Sequence, residues 1–344
     1  MSSTTRETAQ TKPKRAGESL GLTATHARAN EPAPVLAIVV PCLNEELVIG
    51  DTARRLVEVL KHLAADGKID AASFIYIVDD GSHDATWDVI EELHQNDAVV
   101  KGLKLARNVG TQNALLAGLL SVREHADCVV TIDADLQQDE QVIETFLEKY
   151  RAGAHIVYGV RKGRADSYLK KATSGFFYNL MKLMGAKIIK HHSEYRLVSR
   201  KAIDAISEYR EYNLFLRGIF VDIGYKTEIV PFQVRRRGAG KSKHDFRKLA
   251  SLALDGITSF SVVPLRLVTV AGAGIFLFSV LMTLFYLYHK IRGHTPPGWA
   301  GTIIPIYFLG GVQIMFLGIV GEYIGKIYQE AKARPRYIKD TELF

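Results

Sequence analysis

The chain has 344 residues, of which 47% are hydrophobic and 24% charged, and its formal net charge is +7. This composition excludes an intrinsically disordered chain, a collagen-like fibre and a small disulfide-stabilised scaffold. The two cysteines, Cys42 and Cys128, are too few for a disulfide framework or a cysteine-rich zinc site, and they fit a reducing compartment.

Residues 1–34 are polar, contain no apolar segment of the kind found in signal peptides, and are predicted to form a disordered tail. From residue 35 onward the pattern alternates between strands and helices. Short apolar runs predict strands over 35–41, 73–78, 100–105 and 128–132, and helical periodicity predicts helices over 46–65, 85–95 and 112–124. This order predicts an α/β fold, with a doubly wound, Rossmann-like sheet and a mostly parallel core.

Polar residues follow each of these four predicted strands. They are Asn44 and Glu45, Asp79 and Asp80, Arg107 and Asn108, and Asp133 and Asp135. Because ligands bind outside the carboxyl ends of the strands in such sheets, these residues are predicted to line one active site.

Asp133 and Asp135 occupy alternate positions at the end of the fourth strand, so their carboxylates can share one divalent cation. Mg²⁺ and Mn²⁺ prefer such oxygen ligands and leave positions open for phosphate oxygens. Gln137 follows at the same two-residue spacing, and the alternative for the whole motif is a solvated turn or a helix cap. Asp80 is predicted to accept hydrogen bonds from a nucleotide, with Asn44 and the adjacent Glu45 lining the same pocket.

Charge is distributed unevenly along the chain. Residues 35–150 contain 9 Lys and Arg against 21 Asp and Glu, a net of −12, whereas residues 151–262 contain 22 against 9, a net of +13. The acidic part can hold a cation, and the basic part can bind phosphates or an anionic membrane. No nucleic-acid-binding motif accompanies the basic charge, so no nucleic-acid partner is expected.

The basic part is predicted to contain helices over 168–183 and 200–208 and a strand over 227–234. A run of arginines, lysines and glycines over 235–244 follows the strand. It has two open interpretations, which are phosphate contacts by Arg237 and Lys243, or a juxtamembrane patch attracted to anionic lipid. Residues 245–261 are predicted to form an amphipathic helix at the membrane interface.

Residues 267–288 and 299–321 contain no charged side chain, and each stretch is long enough to cross a hydrocarbon core of about 30 Å as a helix. They predict two transmembrane helices; the alternative is a pair of buried helices in a soluble protein. Lysines and arginines are more frequent outside this pair than between its members, which predicts both termini in the cytoplasm. The predicted segments are a tail over 1–34, a catalytic domain over 35–240, a juxtamembrane segment over 241–263, a transmembrane domain over 264–325 and a cytoplasmic tail over 326–344.

Seven motifs together resemble family 2 glycosyltransferases that act on polyprenyl phosphates. They are PxxNEE from Pro41, VDDGSxD from Val78, ARNVG from Ala106, DADLQ from Asp133, YRLVSRK from Tyr195, RxxGxxKSK ending at Lys243 and EYIGKIYxExKxRPxYI from Glu322. The chain is similar to bactoprenol-phosphate glucosyltransferases with two C-terminal spans and, more distantly, to dolichyl-phosphate mannose synthase. The resemblance covers residues 35–340. It departs from the common pattern at Gln138, Asp139 and Glu194.

The resemblance implies a GT-A catalytic domain, a nucleotide-sugar donor, Mg²⁺ or Mn²⁺, a polyprenyl-phosphate acceptor, a place in the cytoplasmic membrane and a homo-oligomer such as a tetramer. Asp135 and Gln137 are implied as metal ligands, and Asp133 as a ligand of metal or nucleotide. The implied nucleotide pocket contains Pro41, Leu43, Glu45, Val78, Asp80 and Ala134. The implied ligands of the donor diphosphate or acceptor phosphate are Arg161, Arg196, Arg237 and Lys243.

This chemistry is consistent with the charge pattern, because a lipid phosphate is already ionised and needs little help from a general base. In-line displacement with inversion at the anomeric carbon is expected, with glucose as the first candidate sugar. N-acetylglucosamine, galactose, mannose, aminoarabinose and a uronic acid are the alternatives. Two other classes are a non-catalytic membrane partner subunit and a processive polysaccharide synthase, which would need more spans.

Overall fold

The computed structural model describes residue 28 and residues 31–135, 137–161, 192–211, 216–234, 263–292 and 298–344. The strands in these ranges are β1 (Leu36–Cys42), β2 (Phe74–Asp79), β3 (Val100–Leu105), β4 (Cys128–Thr131), β5 (Ile156–Arg161), β6 (His192–Ser199), β7 (Thr227–Phe232) and β8 (Lys339–Leu343). The helices are α1 (Ile49–Ala65), α2 (Thr86–Asn96), α3 (Thr111–Val122), α4 (Val142–Arg151), α5 (Arg200–Ser207), α6 (Leu216–Asp222), α7 (Val263–Ile291) and α8 (Trp299–Ala331).

All eight strands form one mixed sheet in the order β7-β5-β6-β4-β1-β2-β3-β8. The central strands β4, β1, β2 and β3 are parallel, as the alternation of strands and helices predicted. Antiparallel β6 lies between β4 and β5, and antiparallel β8 covers the outer edge of β3. The sheet is therefore more mixed than the predicted, mostly parallel core.

Strand β1 shows why this sheet forms the centre of the domain. All seven of its residues, LAIVVPC, are buried. Such a continuous apolar run is typical of a parallel strand that is covered on both faces. Leu36, Ile38 and Val40 pack in one hydrophobic cluster with α1, α2 and α4, whereas Ala37 and Val39 pack in a second cluster with α3, α5 and α6.

The predicted strands and helices between residues 35 and 132 are confirmed to within about three residues at their ends. Helix α5 and strand β7 are confirmed as well, whereas α4, β5, β6, α6 and β8 were not predicted. The predicted helices over 168–183 and 245–261 lie outside the described residues, as does the basic run over 235–244.

Helices α7 and α8 carry apolar side chains that are exposed to the surroundings, including Phe276, Leu281, Ile314 and Leu317. Within the described residues, one stretch, Phe308–Ala331 of α8, is long and apolar enough to cross a membrane. The apolar part of α7, Leu267–Met282, is shorter. The structure thus gives one candidate span where the sequence predicted two.

Both predicted tails contain residues that pack on the α/β domain. The Arg28 guanidinium donates hydrogen bonds to the carbonyl oxygens of Tyr150, at 2.8 Å, and Ala154, at 3.0 Å. The segment predicted as a cytoplasmic tail over 326–344 contains the end of α8 and strand β8. Strand β8, with the sequence KDTEL, lacks the apolar pattern of the buried strands because it lies at the edge of the sheet with mostly exposed side chains.

At Gly118, helix α3 packs closely against strands β1 and β2. A Cβ at this position would lie 2.5 Å from Val39 Cγ1 and 2.9 Å from Val78 Cγ2. We predict that Gly118→Ala lowers the free energy of unfolding by about 1–3 kcal/mol, because β1 or β2 must shift to admit the methyl group. Gly50→Ala on α1 is the matched control, since its nearest neighbour would be Val89 Cγ1 at 3.9 Å. A thermal unfolding midpoint for Gly118→Ala at or above that of the control would contradict this packing.

Candidate active site

The loops that follow the carboxyl ends of β1, β2, β3 and β4 meet at one edge of the sheet, which we call the rim. The first two loops are joined by hydrogen bonds. The Asn44 backbone N–H donates to Ser82 Oγ at 2.9 Å, and Asn44 Oδ1 accepts from the His83 N–H at 2.9 Å. Asn44 has a positive φ of 55°, a conformation that asparagine tolerates better than most residues. The Asn44 side chain therefore connects the two loops.

Asp80 joins the second loop to the third. Its carboxylate accepts hydrogen bonds from the backbone N–H groups of Val109, at 2.8 Å, and Gly110, at 3.0 Å. Burial raises the pKa of Asp80, and these two hydrogen bonds oppose that shift. Gly81 is required next to it, because a Cβ there would lie 2.7 Å from the Arg107 carbonyl carbon. Asp80 thus fixes the shape of the pocket that it was predicted to line.

Asp133 and Asp135 lie directly after β4, at the rim, and both are partly exposed. The Asp133 N–H donates to Gln138 Oε1 at 2.9 Å, and Gln138 Nε2 donates back to the Asp133 carboxylate. The Gln137 N–H donates to Asp135 Oδ1 at 3.2 Å. Gln138, which was noted from the sequence only as a departure from the family pattern, is therefore the residue that orients Asp133.

Helix α1 forms hydrogen bonds to the loop that contains Asp133 and Asp135. Thr52 Oγ1 donates a 2.6 Å hydrogen bond to the carbonyl oxygen of Ala134, which lies between the two aspartates. Arg55 Nη2 donates to Glu140 at 2.5 Å, a few residues farther along the loop. The acidic loop is thus attached to a buried helix and is not a freely solvated turn.

Strand β6 brings a buried ion-pair network to the rim. Arg196 is 1% exposed and donates to the Glu194 carboxylate, and Arg217 Nε on α6 donates to the other oxygen of Glu194 at 2.7 Å. Arg196 also lies over the Phe220 ring, at 4.4 Å from its centroid. Glu194 therefore holds two guanidinium groups in place.

Asp133 lies next to this network. In the antiparallel pairing of β4 with β6, Thr131 is opposite Arg196, and continuing the register by two residues brings Asp133 opposite Glu194. Burial raises the pKa of Asp133, the charges of Glu194 and Asp135 raise it further, and Arg161 at the end of β5 lowers it. The rim therefore combines closely spaced carboxylates with neighbouring guanidinium groups.

A divalent cation fits the donors at this position. Asp133 and Asp135 provide carboxylate oxygens, the ligands that Mg²⁺ and Mn²⁺ prefer. Burial, followed by the charges of Glu194 and Asp135, raises the pKa of Asp133, and a bound cation would favour the ionised carboxylate. In the described part of the chain, no three residues of the His, Cys, Asp and Glu types form a complete metal cluster.

The structure brings most of the predicted site residues to this edge of the sheet. Pro41 and Val78 are buried partners in the pairing of β1 with β2, and Leu43 follows β1. Arg237 and Lys243 lie outside the described residues, so their predicted role as phosphate ligands is not tested. The described chain before them ends at Val234, two residues beyond β7, whose last residue pairs with Arg161.

Sequence reasoning missed Thr52 and Arg217, and it gave Gln138 no role in the site. Thr52 and Gln138 act through hydrogen bonds to the acidic loop, and nothing in their local sequence indicates those partners. Glu194 was noticed only as a departure from the family pattern. A glutamate two positions before a buried arginine on one strand was an available signal, because alternate residues of a strand lie on the same face.

Three comparisons with known proteins show what this chain is similar to. Residues 37–210 match the family model described as glycosyl transferase family 2. An uncharacterized glycosyltransferase of Bacillus subtilis is 47% identical over 312 residues, which cover 90% of this chain and 93% of the relative. A bactoprenol glucosyl transferase of Shigella phage SfV is 39% identical over 318 residues, with coverages of 89% and 98%. A solved Mycobacterium tuberculosis glucosyl-3-phosphoglycerate synthase in complex with UDP is 18% identical, covers 69% of this chain and 81% of its own, and has a TM-score of 0.45.

We predict that Glu194→Gln destabilises the protein by about 3–5 kcal/mol, because it leaves the buried Arg196 without its counter-charge. Glu228→Gln is the control, since Glu228 forms a solvent-exposed ion pair with Lys149 at 3.9 Å. Loss of this ion pair should change the free energy of unfolding by about 0–1 kcal/mol. Thermal unfolding of both variants measures the difference. Equal unfolding midpoints would show that Glu194 does not stabilise the arginines.

Proposed function

The chain belongs to glycosyl transferase family 2, and we propose that it transfers a sugar from a nucleotide-sugar donor to the phosphate of a polyprenyl lipid at a membrane surface. The observation that carries this proposal is the position of Asp133, which follows β4 and lies near Arg196 on the paired strand β6 and near Arg161 at the end of β5. The relative named bactoprenol glucosyl transferase supports it, because the similarity extends over almost the entire length of both chains.

The donor diphosphate is proposed to bind at the acidic side of the rim. Asp133 and Asp135, with the side-chain oxygen of Gln137, would hold Mg²⁺ or Mn²⁺, which neutralises negative charge on the departing nucleoside diphosphate. The nucleoside would occupy the pocket between the loops after β1 and β2, beside Glu45 and Asp80. Gln138 and Thr52 would keep the acidic loop in its binding conformation.

The acceptor phosphate is proposed to bind at the cationic side. Two anions must approach each other for the reaction, and fixed guanidinium groups reduce their repulsion without reorganisation during the reaction. Exposed Arg161 would supply such a charge at the rim, with Arg196 contributing from its buried position beside Glu194. Arg237 and Lys243 would join them from the segment outside the described residues. The ionised phosphate oxygen then attacks the anomeric carbon in line with the leaving diphosphate, which inverts the configuration at that carbon.

The donor is proposed to be UDP-glucose, because relatives carry the name bactoprenol glucosyl transferase. Undecaprenyl or decaprenyl phosphate is the proposed acceptor, and the product would serve glycan modification in the cell envelope. N-acetylglucosamine, galactose, mannose, aminoarabinose or a uronic acid in place of glucose would leave the proposed reaction unchanged. A panel of radiolabelled UDP- and GDP-sugars distinguishes them.

We further propose that α7 and α8 are two transmembrane helices, with the catalytic domain and both termini in the cytoplasm. The exposed apolar side chains of both helices support this, because soluble monomers rarely expose apolar surfaces of such size. A homo-oligomer, with a tetramer as one form, is proposed on the family resemblance.

We predict that Asp135→Asn lowers the rate of sugar transfer to polyprenyl phosphate by about 100-fold or more, because metal-assisted charge stabilisation is worth several kcal/mol. Asp139→Asn is the matched control in the same loop and should retain near-normal rates. The measurement is transfer of radiolabelled glucose from UDP-glucose to polyprenyl phosphate by purified protein. Near-normal turnover in Asp135→Asn would remove Asp135 from the mechanism, whereas a parent protein with no turnover would favour a non-catalytic membrane partner subunit.

A further inference from the structure

The chain returns to the catalytic sheet after α8. Residues 332–344, which we call the returning segment, contain strand β8, and β8 pairs antiparallel with the outer edge of β3. Lys339 lies opposite Leu105, the last residue of β3, and the Ala106 N–H donates a 3.0 Å hydrogen bond to the Ile338 carbonyl. The returning segment therefore enters the sheet at the rim and runs away from it.

An aromatic cluster fixes the far end of β8. The Phe344 ring lies edge-on to Phe74, with centroids 5.6 Å apart, and its centroid is 4.1 Å from that of His125. Lys101 Nζ lies 3.6 Å from the Phe344 centroid and 4.4 Å from that of Phe74. Such ring and cation contacts each contribute about 0.5–1.5 kcal/mol. The strand is thus held by side chains as well as by backbone pairing.

A polar contact supports the middle of β8. The hydroxyl of buried Tyr76 donates to the Glu342 carboxylate, which also accepts from Lys339 Nζ at 2.9 Å. Burial raises the pKa of Tyr76, so its hydroxyl stays protonated and remains a donor. Removing Glu342 would leave this buried hydroxyl without its acceptor on β8.

The connection between α8 and β8 is short. Seven residues, 332–338, separate Ala331 from Lys339, and seven residues span at most about 25 Å even when fully extended. Within them Arg336 Nη2 donates to the Tyr209 carbonyl at 2.6 Å. Burial raises the pKa of Glu211, and the charge of Glu330 at the end of α8 raises it further. The end of α8 is therefore close to the catalytic domain.

We propose that the returning segment positions the rim against the membrane, so that the active site meets a phosphate whose lipid chain stays in the bilayer. The inference rests on the proposed function for its acceptor. The partner surface is an anionic lipid head-group layer, because exposed Lys332 and Arg334 lie where α8 leaves its apolar stretch. The short connector limits how far the rim can move from that surface.

Energy transfer to a membrane dye tests this positioning without any activity. Cys42 and Cys128 are both buried, so a label directed to an introduced cysteine goes to that site. Leu47→Cys labels the rim, where Leu47 is 91% exposed, and Ala71→Cys labels the opposite edge of the sheet. The two edges are about 20 Å apart, given strands of six residues at 3.3 Å each. In vesicles, we expect higher transfer efficiency from the label at the rim.

Combining Glu342→Ala with Phe344→Ala removes both side-chain anchors, and the difference between the two labels should then disappear. Asp340→Ala on the same strand is the matched control and should preserve it. Phe344→Ala alone leaves Glu342 beside Tyr76 and should reduce, but not abolish, the difference in transfer efficiency between the two labels. This single variant replaces the double variant if the latter fails to fold. Equal efficiencies in the parent, or an unchanged difference in the variants, overturn the proposal.

Activity provides a second readout. In the double variant, the rate of sugar transfer to polyprenyl phosphate embedded in vesicles should fall about tenfold. The reason is that the returning segment no longer holds the rim at the membrane, so the effective concentration of the acceptor there is lower. Transfer to a short-chain, water-soluble prenyl phosphate should stay within about twofold of the parent, as should UDP binding. Equal losses with both acceptors would overturn the positioning role. A parent that transfers sugar to neither acceptor refutes the proposed function, while energy transfer still decides the positioning.

Discussion

The candidate active site depends on the balance between buried carboxylates and the guanidinium groups held beside them. Asp133 is partly buried next to Glu194 and Asp135, which is unfavourable unless positive charge lies nearby. Arg196 and Arg217 supply that positive charge, and each of them is held in place by one carboxylate oxygen of Glu194. The cost of burying these ions is offset only while every partner is present. In the proposed reaction, the same arrangement that stabilises the rim would also reduce the repulsion between two anionic substrates.

The part of the fold that follows from local pattern was predictable. Strands β1, β2 and β4 are apolar runs buried on both faces, whereas β3 carries two partly exposed lysines among its buried residues. The loops after all four strands carry the polar residues that mark the carboxyl ends. The closeness of the Asp133 and Asp135 carboxylates was also predictable, because alternate residues of a strand point to the same side. The family resemblance extended this to Arg161 and Arg196, which lie at the predicted edge of the sheet.

Features that depend on tertiary contacts were not predictable. Arg217 reaches Glu194 from α6, and Thr52 reaches Ala134 from α1, across 23 and 82 residues of sequence respectively. Strand β8 has a charged sequence because it lies on an edge, where such residues also hinder unwanted pairing between sheets. It pairs with a strand more than 200 residues earlier in the chain. Position along the chain therefore gave no indication that this segment completes the catalytic sheet.

The central claim is that the acidic pair at the end of β4 holds a divalent cation that binds the nucleoside diphosphate. Calorimetric titration of UDP into the purified protein, in Mn²⁺ and again after chelation, tests it most directly. The account predicts that chelation weakens UDP binding by at least about tenfold, equivalent to 1.4 kcal/mol, and that added Mn²⁺ restores it. Equal affinity in both conditions would contradict the account.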